Sequence, residues 1–257
     1  MAEEKQLDKV VIDAFDLDYA WFKCLSELLY HGHVYTIDRG SFAGKKRLEF
    51  DYVLVNVKQP GHKPIIPLMP EGSKLAPPTS MEYVEQYLSY LVTGEKKPGE
   101  DYTYGERLVN PRVKVDCDGL IKEMPLNVNQ IEEVIKMYKE QGFGTNQAIM
   151  EIGMPSDIKL NDPPCLRLID TRVRYGKLHF MVYFRSWDLY AGFPSNLAAL
   201  QLLKEHMASE IGVEDGEMIA SSKGLHLYDY CWELAKLRVK PIEKTVIDDL
   251  LKKNGDA

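Results

Sequence analysis

Two runs of strand formers, Leu166 to Val173 and Leu178 to Phe184, flank Arg174-Tyr175-Gly176-Lys177 and predict an antiparallel pair that folds back at that turn. Cys165 and Arg185 lie equally far from Tyr175 on either side, so the ladder sets them opposite or nearly opposite, within roughly 5 Å backbone to backbone. A fixed positive charge favours thiolate over thiol, and thiolate is the nucleophile. The plainer reading makes Cys165 a small buried apolar group and Arg185 a surface charge; Asp188 and Asn196 after the same strand favour the functional one. Next, Gly192-Phe193-Pro194-Ser195-Asn196 leads into Leu197, Leu200, Leu203 and Met207, an apolar series at helical spacing with a proline near its start. The free N–H groups of such a helix, near the end of the Arg185 strand, suit a phosphate.

Composition limits the partners. The chain has 257 residues, 45% of them hydrophobic, enough for one full core, and residues 1–257 are read as a single domain. A net charge of -7 gives no footprint for a nucleic-acid polymer, though a mononucleotide needs only a local cluster. No apolar stretch is long enough for a signal peptide or a membrane span, so a cytoplasmic protein without membrane contact is expected. Cys24, Cys117, Cys165 and Cys231 form no CxxC pair and no cluster with histidine, which predicts reduced thiols and no metal site.

Along the chain, Asp18 is placed as the cap of a helix carrying Trp21, Cys24, Leu25 and Leu28, closed by Gly32. Asp38 to Arg47 is a glycine-spaced basic loop and Leu48 to Val57 a strand. Six prolines between Gln59 and Thr79 mark an extended loop. Thr79 and Glu82 form a capping-box pattern for a helix ending at Gly94, which leaves Glu85 to solvent. Tyr102 to Arg107 is placed in a loop, Asn129 to Gly142 in a capped helix, Gln147 to Gly153 and Glu217 to Ser221 in strands, and Leu225 to Leu237 in a loop turning into helix.

Cys165, Arg185-Ser186, Asp188, Gly192, Pro194, Asn196 and His226-Leu227-Tyr228 resemble the thymidylate synthase pattern of Pro-Cys, Arg-Ser-x-Asp, Gly-x-Pro-x-Asn and His-x-Tyr, in order and at matching intervals. The loop at Asp38-Arg39 is similar to the family's Asp-Arg-x-Gly loop, and Tyr104-Gly105 to its Tyr-Gly segment. The resemblance implies an α+β fold, a twisted mixed β-sheet flanked by helices, in a homodimer of short, archaeal-like form. It implies a methyltransferase converting dUMP to dTMP with methylenetetrahydrofolate. Cys165 would be the nucleophile; Arg39, Arg185 and Ser186 would hold the phosphate; Asn196 would meet the pyrimidine edge. His226 and Tyr228 would meet the sugar hydroxyl, Asp188 would reach the folate pterin, and Tyr104 would line the site.

The sequence also departs from the family. Leu166 and Phe184 stand where a histidine and a glutamine are usual, and Thr145 and Asn146 where paired arginines cross to the partner's phosphate. Neither Glu82 nor Glu85 matches the usual glutamate well, and Gly255-Asp256-Ala257 does not resemble the folate-covering tail. Lys45, Lys46 and Arg47 are the nearest other cations to the phosphate loop. Two rivals share these residues: a dUMP or dCMP hydroxymethylase, and a nucleotide-binding relative that has lost catalysis.

Overall fold

The structure, a computed structural model, describes residues 6–69 and 71–239, so the Gly255-Asp256-Ala257 tail lies outside the described residues. The predicted hairpin forms: β8 (Leu166–Arg174) pairs antiparallel with β9 (Lys177–Phe184). Tyr175 (φ 55°) and Gly176 (φ 73°) make the two-residue turn, both left-handed, as the twist of the flanking strands requires. That turn pairs Arg174 with Lys177, and a regular ladder from there would set Cys165 against Ser186. The register shifts between Leu166 and Leu168, where Arg167 bulges out, and the Arg185 N–H donates to the Cys165 carbonyl at 2.8 Å.

Around the hairpin lies a six-stranded mixed sheet. From one edge it runs β1 (Lys9–Ala14), β4 (Tyr52–Val57), β11 (Glu214–Ser222), β9, β8 and β7 (Ile149–Glu151). Its inward residues, among them Val53, Val55, Phe180, Val182, Phe184, Met218 and Ala220, alternate with half-buried outward ones, the period-two pattern of a sheet packed on one face. That face meets α1 (Leu17–His31), α4 (Gln130–Gln141) and α5 (Gly192–Ile211), and α2 (Met81–Leu91) packs against α5. α5 is apolar along most of its circumference, as a helix in the middle of a core must be.

The α+β class holds, but among the described residues the strands divide among three sheets rather than one. β10 (Trp187–Asp188), β12 (Leu225–Tyr228), β3 (Lys46–Glu49) and β2 (His33–Thr36) form a four-stranded sheet, and β5 (Arg112–Cys117) pairs with β6 (Leu120–Pro125) in a two-stranded one. The expected strand Leu48 to Val57 is therefore broken at Phe50 and Asp51, its two halves serving different sheets. Caps also shift. Asp16, not Asp18, accepts from the Tyr19 N–H at the start of α1, while Asp18 accepts from the Leu68 N–H. Ser80, not Thr79, caps α2, because the Thr79 hydroxyl is buried against Ser195. Tyr102 to Arg107 is not all loop: Thr103 caps a short helix, α3 (Tyr104–Val109). A helical stretch at 232–239 follows β12.

Candidate active site

The four-stranded sheet aligns the site. β10 runs parallel to β12 with Asp188 beside His226, and β12 runs antiparallel to β3 with Tyr228 beside Arg47 and His226 beside Glu49. β10 follows directly from the hairpin through Arg185 and Ser186, so pairing of β10 with β12 draws Asp188, His226 and Tyr228 toward Cys165. The electrostatic neighbours of the Cys165 thiol are Arg185, Asp162, Arg167 and Asp188, and both Tyr104 and Tyr228 feel it in turn.

The guanidinium of Arg185 is fixed by the segment ahead of the thiol. Its Nε donates to the carbonyls of Pro163 at 3.1 Å and Pro164 at 3.2 Å, and its Nη2 also donates to Pro163. Tyr104 holds the other side: its hydroxyl accepts from the Leu166 N–H at 3.2 Å. Ser186 is half-buried at the strand end. Arg39 donates to the Leu160 carbonyl at 2.8 Å, and its loop is tied to Asp162 through Ser41, which sets the basic loop against the approach to Cys165.

Two electrostatic expectations are corrected. Arg185 does lower the thiol's pKa, but burial outweighs it and Asp162 and Asp188 add to burial, so the net shift is upward. Iodoacetamide labelling of Cys165 in the free protein should thus keep accelerating as pH rises through the ordinary thiol value of 9.0, since thiolate accumulates only near the raised pKa. A labelling rate that has levelled off by about pH 7 would show that the guanidinium wins. The second correction concerns the start of α5, whose N–H groups are not all free for a phosphate. Asp188 Oδ2 accepts from the N–H groups of Ala191 and Gly192 at 3.1 and 3.0 Å, and Oδ1 from Tyr190 at 3.1 Å. A carboxylate at a helix N-terminus is the favourable arrangement, and it leaves about one of four lone-pair positions open.

His226 is buried, and burial pulls its pKa down, so the ring is neutral. Nδ1–H donates to the Gly224 carbonyl at 2.8 Å, which makes Nε2 an acceptor; it is buried with no hydrogen-bond partner among the described residues. Tyr228 stands edge-on to that ring at 4.7 Å and stacks on Phe42 at 4.4 Å, its phenol pushed up to about 12 by burial and Asp188.

Asn196 accepts from the indole Nε1 of Trp187 at 3.1 Å and donates through Nδ2 to the Tyr87 hydroxyl at 3.0 Å. It lines a pocket of about 640 Å³ with Pro77, Pro78, Tyr83, Asp188 and Gly192. Tyr87 escaped the sequence reading, although Tyr83, Tyr87 and Tyr90 recur at helical spacing and stack in series. Glu82 and Glu85 are both exposed on α2, so it is this phenol, kept neutral by burial, that α2 turns toward Asn196. Of the other positions weighed, Arg47 pairs with Glu49 at 2.6 Å, Arg107 is buried against Asp157 at 2.9 Å, and Asn146 accepts from Arg172 at 2.8 Å.

Residues 95–248 match the protein family described as thymidylate synthase. Proteins named "Putative thymidylate synthase" from Methanosarcina acetivorans and Methanosarcina mazei are each 32% identical over 232 residues, covering 90% of this chain and 95% of theirs. A protein named "Thymidylate synthase" from Listeria monocytogenes is 35% identical over 103 residues, 40% of this chain and 32% of its own length.

Proposed function

The chain belongs to the thymidylate synthase family, and on that premise we propose that it converts dUMP to dTMP through a covalent adduct on Cys165. The observation that carries this reading is the placement of Cys165 across the hairpin from Arg185, whose N–H donates to its carbonyl, and beside the Leu166 N–H held by Tyr104, with Asp188 and His226 paired on the strands that follow. Carbon 5 of uracil is a poor nucleophile. Addition of a thiolate at carbon 6 makes it an enolate that can attack a one-carbon electrophile; carbon 5 then loses its proton, and hydride delivered to the new methylene group expels the thiolate and restores the ring with a methyl at carbon 5.

Each residue has a role that its chemistry fits. Arg185, Ser186 and Arg39 hold the phosphate, and either guanidinium can grip two oxygens. His226 Nε2, a buried acceptor lacking a donor, suits a sugar hydroxyl, with Tyr228 beside it. Asn196 meets the pyrimidine edge through its amide. Tyr104, holding the Leu166 N–H, positions the nucleophile.

Methylenetetrahydrofolate supplies the one-carbon unit and the hydride. The 640 Å³ pocket suits its flat heterocycle: Pro77, Pro78 and Tyr83 give apolar walls, and the remaining lone pair of Asp188 can accept an N–H. A homodimer is supported by the outward face of the main sheet. There Val11, Leu54, Tyr183 and Leu168 fall in one register row with Ser221 and Glu151, and Ile219, Met181 and Ile149 in the next with Asp13, Asn56 and Asp170, a face of mixed apolar and polar residues like that of many subunit contacts.

A product assay tests the reading. Incubation with dUMP and methylenetetrahydrofolate should yield dTMP and dihydrofolate in equal amounts. Hydroxymethyl-dUMP with no dihydrofolate would make the protein a hydroxymethylase, and no product at all would favour a nucleotide-binding relative.

A further inference from the structure

Resting on the reading of Asn196 as the residue that meets the pyrimidine, we propose that Trp187 sets base choice: its indole N–H locks the Asn196 amide in the orientation that pairs with uracil and excludes the flipped one that pairs with cytosine. An indole nitrogen can only donate, and Trp187 Nε1 lies 3.1 Å from Asn196 Oδ1. Turning the amide over would bring its NH2 against the indole N–H, donor to donor. Trp187 is 2% exposed between the fully buried rings of Phe184 and Phe193, so little water can reach the indole to relieve the clash. Tyr87 imposes no such direction, because a hydroxyl donates or accepts as its neighbour demands.

Holding the amide this way leaves one lone pair on Oδ1 and one N–H on Nδ2. Uracil presents an N–H at position 3 and a carbonyl at position 4, the complement of that pair. Cytosine presents an acceptor and an amine at the same places and needs the opposite amide. The lock is stiff as well as directional. The Trp187 ring stacks on Phe184 at 4.2 Å and 3°, and on Phe193 at 4.6 Å and 27°. Its backbone N–H donates to the Gly224 carbonyl at 2.9 Å, so neither ring nor chain can withdraw from the amide. Phe184, a departure from the family pattern, thereby gains a purpose: it is one of the two rings that clamp Trp187.

Equilibrium binding of dUMP and dCMP to the full chain, to Trp187→Phe, to Asn196→Ala and to the double variant decides the matter. Trp187→Phe keeps an aromatic ring in the stack and removes the N–H. It should shift the dUMP to dCMP affinity ratio toward dCMP by at least about tenfold, about 1.4 kcal/mol. In the Asn196→Ala background the same change should move the ratio by less than about twofold, as coupling through the amide demands. A packing role alone would weaken both nucleotides equally. An unchanged ratio in Trp187→Phe, with a changed one in Asn196→Ala, overturns the lock while the reading of Asn196 stands. An unchanged ratio in Asn196→Ala overturns that reading and the lock with it. Should Trp187→Phe fold poorly, the proton resonance of the Trp187 indole N–H, compared between wild type and Asn196→Ala, replaces it. Loss of the acceptor should move that resonance upfield, and an unmoved resonance overturns the lock.

Discussion

Replacing Cys165 by serine should lower dTMP formation by a factor on the order of 10⁴ or more while dUMP affinity stays within about threefold. Serine keeps the side chain's size and its place opposite Arg185, but its hydroxyl is far less acidic and less nucleophilic than the thiol. The groups that would hold the nucleotide are anchored elsewhere: Arg185 on the Pro163 and Pro164 carbonyls, His226 on Gly224, and Asn196 on Trp187 and Tyr87. Binding by isothermal titration and turnover by dihydrofolate absorbance separate the two effects. Parallel loss of both would mean that the substitution disturbs the turn held by Arg185 rather than the chemistry.

The next largest effect is expected at Gly105→Ala. A Cβ at Gly105 would run into the backbone carbonyls of Tyr90 and Thr93, with the Leu91 carbonyl at 3.2 Å behind them. Those atoms belong to the end of α2 and the turn after it, so no flexible side chain can yield; α2 and α3 must part. The cost should be roughly 3 kcal/mol or more, at the upper end for overpacking. Tyr104, the neighbouring residue, would be displaced and the Leu166 N–H would lose its acceptor, so surviving protein should also turn over slowly. Thermal melting measures the first effect, with Gly144→Ala as control because nothing lies within 4 Å of a Cβ there. Equal melting temperatures for the two variants would contradict the close approach.

How much could be read beforehand followed the range of the interactions involved. The β8–β9 hairpin was legible because alternation and a two-residue turn are local signals, and the chemistry-bearing residues cluster at its open end. The bulge at Arg167 was not, and the expected opposition of Cys165 and Arg185 holds only because that bulge offsets a turn centred half a residue beyond Tyr175. The small sheet that aligns Asp188, His226 and Tyr228 was also hidden. Its strands are two to four residues long, too short for a period, and they pair across distant parts of the chain. The β5–β6 hairpin carried an Asp118-Gly119 turn signal, with φ 56° and 82°, but β6 is exposed throughout and shows no alternation to support it. The raised thiol pKa and the capping of α5 by Asp188 depend on burial and loop geometry, which residue order does not express.

Covalent capture tests the central claim most directly. Incubated with 5-fluoro-dUMP and methylenetetrahydrofolate, then digested and analysed by mass spectrometry, the protein should carry the adduct mass on the peptide containing Cys165. Fluorine at carbon 5 cannot leave as a proton does, so the thiol stays bonded to carbon 6. Adduct on Cys24, Cys117 or Cys231 instead, or no adduct on any of the four, would contradict the assignment of Cys165 as the nucleophile.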